Sequence, residues 1–79
     1  MQIILTKHAM LNGFLRIGWR PKTLRTRVKE ACRIKKEDLY KLKNKETLEI
    51  NNGAVHFSLV KDKGKIVVKT VYIAKGKQL

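Results

Sequence analysis

The sequence predicts an α+β domain in which two main helices, with a short third, pack on one face of a small antiparallel β-meander. Apolar residues keep helical spacing through the first half of the chain, and from about residue 47 the spacing changes to alternation. Asn52-Gly53 and Asp62-Lys63-Gly64 then cut the alternating half into three strands, because such residues tolerate the backbone of tight hairpin turns. The 79 residues form one domain, 1–79, ending in a short basic tail from about residue 75. A chain of this size buries about 60% of the surface that its unfolded form exposes, so the core is modest.

Taken in order, Gln2 to Leu5 is a brief β-compatible run, and Thr6 is an N-cap for a helix from Lys7 to about Ile17. Met10, Phe14 and Ile17 repeat at helical spacing, and Leu11 and Leu15 widen the stripe. Gly13 inside that pattern points to close packing against another backbone or to a weak helix, and Gly18 ends the helix. Pro21 suits the first turn of a second helix. At about 100° per residue this helix gathers Leu24, Val28, Ala31, Cys32 and Lys35 on one arc and Lys22, Arg25, Lys29 and Arg33 on the opposite one. A short third helix is expected near Lys36 to Lys43, from Leu39 and Leu42 among good helix formers.

A two-residue Asn52-Gly53 loop would pair Ile50 with Val55, Glu49 with His56 and Leu48 with Phe57, while a tight second turn would pair Leu59 with Ile66 and His56 with Lys69. Leu48, Ile50, Val55, Phe57, Leu59, Ile66 and Val68 then share the covered face, which Thr70 and Tyr72 extend. Glu49, His56 and Lys69 form a row on the opposite face, with Val67, Val71 and Ile73 as an apolar remainder that suggests a homodimer or a bound partner.

Nineteen Lys and Arg against six Asp and Glu give a net charge of +13, which opposes folding by self-repulsion and points to a polyanionic partner. Nine of the nineteen lie between Arg16 and Lys36 with one acid, Glu30, and five of the nine are Arg. Guanidinium forks match phosphate oxygens, so Arg20, Lys22, Arg25, Lys29 and Arg33 are expected to contact nucleic acid, RNA in preference to DNA. The plainer alternative is a solubilising cationic face. A membrane role is not expected, because the apolar side of the basic helix is needed for the core and no run approaches a membrane span. Single Cys32 excludes an internal disulfide, fits a cytoplasmic chain and falls on the core arc of the helix. No metal motif, phosphate loop or serine elbow occurs, and no cofactor is expected.

The row of Glu49, His56 and Lys69 could perform acid–base chemistry on a ribose 2′-hydroxyl, or could be ordinary cross-strand pairing. His8 in the first turn of a helix is expected as a neutral, hydrogen-bonded ring, because the macrodipole there disfavours a cation. Trp19 is expected in the core rather than stacked on a base, and Tyr40 becomes an aromatic within a basic patch if the third helix forms.

Thr6-Lys7-His8-Ala9, with Arg16 eight residues after the His, and Val67-Val68-Lys69-Thr70-Val71-Tyr72 resemble small bacterial and phage domains that begin T-x-H-A, continue H-A-x-x-R-x-x-x-R and end in an apolar strand followed by T-V-Y. Those domains are similar to the RelE/BrnT toxin superfamily. The resemblance implies two helices against a small antiparallel sheet, RNA binding or metal-independent RNA cleavage, and an antitoxin as partner. Asn12 stands where that pattern has its first Arg. His8 and Arg16 carry over, with Lys69 and Tyr72 as strand-end contributors, and His56 joins them from the strand row as catalytic candidates. Two rival readings remain open. One is a winged-helix DNA-binding domain with residues 54 to 73 as the wing; the other is a phage or mobile-element protein that binds an acidic host protein.

Overall fold

The computed structural model describes residues 2–73, so the expected basic tail lies outside the described residues. Strand β1 (Gln2–Leu5) leads into α1 (Lys7–Asn12), which continues as a π-helical turn over Gly13–Ile17. Helices α2 (Pro21–Ile34) and α3 (Lys36–Lys41) follow, then strands β2 (Thr47–Asn52), β3 (Val55–Asp62) and β4 (Lys65–Ile73). The domain is α+β with three helices, as expected, but the sheet is mixed rather than a purely antiparallel meander. Its order is β1-β4-β3-β2, and β1 runs parallel to β4, so the first strand lies beside the last one and extends the meander of β2 to β4. Residues 54 to 73 therefore supply the sheet's two central strands and not an appended wing, and the winged-helix architecture is not the one observed.

Helices cover one face of the sheet. Leu24, Val28 and Ala31 of α2 and Leu39 of α3 are buried with Ile50, Phe57, Leu59, Ile66, Val68 and Val71. Each large aliphatic or aromatic side chain so enclosed contributes about 1.5–3 kcal/mol. Trp19 packs on this core with its ring 6.4 Å from that of Phe57. Lys35, expected on the apolar arc, is exposed where the chain breaks between α2 and α3.

In α1 and its π turn the buried positions are Ala9, Asn12 and Gly13; of the expected stripe Met10 and Ile17 pack against the core, while Leu11, Phe14 and Leu15 are exposed. Gly13 marks a close approach to α2, since a Cβ there would lie 3.2 Å from Leu24 Cδ2, while α1 packs chiefly on β4. Gly18 then ends the helix in the left-handed region at φ 82°.

Both hairpins close one step further along than the sequence suggests. Gly53 and Ala54 form the first loop, pairing Asn52 with Val55 and Ile50 with Phe57. Lys63 and Gly64, at φ 52° and 78°, form the second, pairing Asp62 with Lys65. Each strand shifts by an even number of pairings, so the expected covered face survives as far as Val68. There β4 bulges: Leu59 pairs with Val68 but Ser58 pairs with Thr70, leaving Lys69 as an extra residue. Beyond the bulge the faces exchange, so Val71 is buried in the core and Tyr72 joins the open face, the reverse of the expectation for both. The expected outer grouping of Val67, Val71 and Ile73 is thereby broken, because Val71 is buried while Val67 stays half-buried between Ile4 and Val60.

Candidate nucleic-acid interface

The cationic row lies on α2 as its spacing demands. Arg20, Lys22, Arg25, Lys29 and Arg33 are all exposed. Among the described residues the ion pairs are Arg27 with Glu30 at 3.3 Å and Lys45 with Asp62 at 3.1 Å, so none of those five cations is neutralised by an acid. Glu30, the one acid of α2, is used elsewhere. Asn52 Nδ2 donates to its Oε1 at 3.0 Å and to the Arg27 carbonyl at 3.2 Å, and these bonds fasten α2 to β2. The bond from Asn52, then that from Arg27, hold the Glu30 carboxyl below its ordinary range. Arg25 has a second task, because its guanidinium donates to the Ile3 carbonyl at 2.7 Å on β1.

On the open face of the sheet the expected row of Glu49, His56 and Lys69 is not formed. The bulge removes Lys69 from the ladder and brings Tyr72 opposite His56, their rings stacked with centroids 5.3 Å apart. Tyr72 donates its hydroxyl to Glu49 Oε1 at 2.6 Å, and this bond, more than burial or the carboxylate charge, raises the phenol above its ordinary range. Glu49, His56 and Tyr72 thus form a cluster with a carboxylate acceptor, an imidazole and a phenol.

The other catalytic candidates make no hydrogen bond to this cluster among the described residues. His8 is exposed on α1, and its Nε2 lies 2.8 Å from Asn12 Nδ2; with the amide nitrogen donating, that ring nitrogen accepts. Asn12, standing at the position of the family pattern's first Arg, is thereby a partner of His8 one turn away. Arg16 is exposed in the π turn and Lys69 is exposed in the bulge. Of the five candidates His56 and Tyr72 meet, and His8, Arg16 and Lys69 join neither of them by a hydrogen bond among the described residues.

The N-cap role of Thr6 was expected, but its link to the β4 bulge and the cleft between α2 and α3 were not. Thr6 caps α1 by accepting from the Ala9 amide at 3.1 Å, and its hydroxyl lies 2.8 Å from the Val68 carbonyl and 3.3 Å from that of Lys69, so it holds the bulge as well as the helix. Near the α2–α3 junction a cleft of about 460 Å³ opens beside Lys29, Arg33, Lys36 and Tyr40. Cys32 also lines it, and burial pushes its thiol up to about 11, which suits a packed side chain and not a nucleophile. No helix among the described residues is long and apolar enough to cross a membrane, and no group of His, Cys, Asp and Glu among them could hold a metal ion.

Compared with protein-family models, curated proteins and solved structures, the chain matches none.

Proposed function

We propose that the protein is a cytoplasmic nucleic-acid-binding module that takes RNA in preference to DNA on the exposed side of α2. The observation that carries this reading is the acid-free row of Lys22, Arg25, Lys29 and Arg33, extended by Arg20, on a helix whose single carboxylate is turned to an internal tie. Cations at i, i+3 and i, i+4 repel one another, and phosphates placed between them remove that penalty. The test is binding of labelled RNA across a salt series by the wild type and by Lys22→Glu with Lys29→Glu. Both positions are exposed, and Arg25 is left alone because its charge also secures β1. The double variant should bind more weakly and lose roughly 1.4 from the logarithmic salt slope, about 0.7 for each single-strand phosphate contact, with an unchanged circular dichroism spectrum. Equal affinity in the two proteins would remove α2 from the interface.

The contact of Tyr72 with Glu49 favours a second reading, a metal-independent ribonuclease of the kind that the RelE/BrnT resemblance implies. Glu49, His56 and Tyr72 could exchange protons with a ribose 2′-hydroxyl and its leaving oxygen. These side chains lie on the sheet face opposite the helices, so a cleaved strand would pass over a surface separate from the α2 row. RNA cleavage abolished by both His56→Ala and Tyr72→Phe would establish this reading; an intact chain after prolonged incubation would exclude it.

A further inference from the structure

The cleft at the α2–α3 junction follows from how the chain breaks. Helix α2 ends at Ile34, Lys35 leaves helical geometry at φ −99° and ψ 28°, and α3 sets off in a new direction, anchored by buried Leu39. At this corner of the sheet half-buried Ile3 of β1 pairs with fully buried Ile66 of β4. The cleft has an apolar floor of half-buried Ile3 and Cys32 alongside buried Leu39 and Ile66.

Its edge is of different character. Lys29, Arg33 and Lys36 stand around it, all exposed and none in an ion pair among the described residues. Glu30, beside Lys29 in sequence, is bonded to Asn52 and Arg27, and Glu37 and Asp38, which follow Lys36, line a separate depression that shares Arg33 and Lys36. Tyr40 closes the remaining side with 65% of its surface exposed, and Lys36 Nζ lies 5.8 Å from the centre of its ring. A large aromatic held at the mouth of an apolar recess and surrounded by three cations is suited to a ligand with a flat ring and flanking negative charges.

We infer that this cleft receives one unstacked nucleotide of a single-stranded RNA, its base against Tyr40 and the apolar floor and its two flanking phosphates on Lys29, Arg33 and Lys36. The volume of about 460 Å³ lies within the usual range for small-molecule sites of about 300–1,000 Å³. Bases stacked inside a duplex cannot enter such a recess, whereas a single strand can splay one out. Lys29 and Arg33 belong also to the α2 row, so a strand lying along the helix reaches the cleft without a change of direction. This inference rests on the RNA-binding reading and adds a base subsite to it.

The deciding experiment is fluorescence anisotropy with a labelled single-stranded RNA oligomer and with its duplex, over a salt series, for the wild type, Tyr40→Ala and Lys36→Gln. Tyr40→Ala should weaken binding of the single strand at least about fivefold with no change in salt slope, because stacking is lost and no charge is removed. Lys36→Gln should instead flatten the slope by roughly 0.7, and the duplex should bind more weakly than the single strand. If the wild type binds the oligomer but Tyr40→Ala binds it equally well, or if the duplex binds equally well, the base subsite is overturned and the RNA-binding reading stands. Absence of oligomer binding by the wild type at low salt overturns both. Displacement of the oligomer by uridine monophosphate at concentrations comparable with those of the oligomer would assign the cleft to a free nucleotide and overturn the assignment to a chain.

Discussion

At Tyr72 a phenol donates to the Glu49 carboxylate while its ring lies on His56, so one side chain joins three residues from three strands. Ionising the phenol would place a second negative charge on that short contact, which is why Tyr72 titrates above its ordinary range. The sign follows for stability. A group whose folded value is raised contributes stability that is fully present below its unfolded value near 10, and this contribution is lost as the pH rises through the folded value. Glu49→Gln should therefore lower the titration midpoint of Tyr72, measured by tyrosinate absorbance in a Tyr40→Phe background, and should narrow the stability difference between neutral and strongly alkaline solution. An unchanged midpoint would mean that the Glu49 contact is not kept in solution.

At the scale of the element, the β4 bulge decides which residues meet. Lys69 is the extra residue, and removing it joins Val68 and Thr70 in a regular ladder with every later side chain on its present face. Deletion of Lys69 should therefore cost no more than about 1 kcal/mol in urea unfolding and should leave the raised titration of Tyr72 intact. Deletion of Val67 slides Lys69 opposite Leu59 on the covered face, and burying that ammonium should prevent cooperative folding. The same bulge marks the limit of what alternation can reveal. Leu48, Ile50, Val55, Phe57, Leu59, Ile66 and Val68 were legible as one face because hydrophobic period and turn residues agree. Val71 and Tyr72 were not, since the hydroxyl that secures the exchange of faces belongs to Thr6, more than sixty residues away. Asn52 was read as a turn residue because of the Gly after it, although its amide serves α2. The cationic row was legible because a helix begun by Pro21 has fixed periodicity, whereas the cleft depends on an abrupt break at Lys35 that no local signal announces.

Over the whole molecule, a net charge of +13 sits on a body with principal extents of 34 × 26 × 19 Å, and only two ion pairs relieve it among the described residues. Self-repulsion then acts against folding and attraction acts towards any polyanion, and salt screens both over a Debye length of about 10 Å at 0.1 M. The two should move in opposite directions. Between low and moderate salt the melting temperature of the free protein should rise while its affinity for RNA falls, and at low salt an excess of RNA should raise the melting temperature because only the folded row presents its cations together. A melting temperature that falls with added salt would show that native charge contacts outweigh the repulsion. The parallel pairing of β1 with β4 adds a condition of timing. Residues 2–5 find their hydrogen-bonding partners at residues 65–68, and the Thr6 hydroxyl waits for the Val68 carbonyl. During folding, residues 2–5 must therefore stay unpaired until residues 65–68 are in place. Pairing of segments so far apart in sequence is slow, so closure of the sheet comes late in folding.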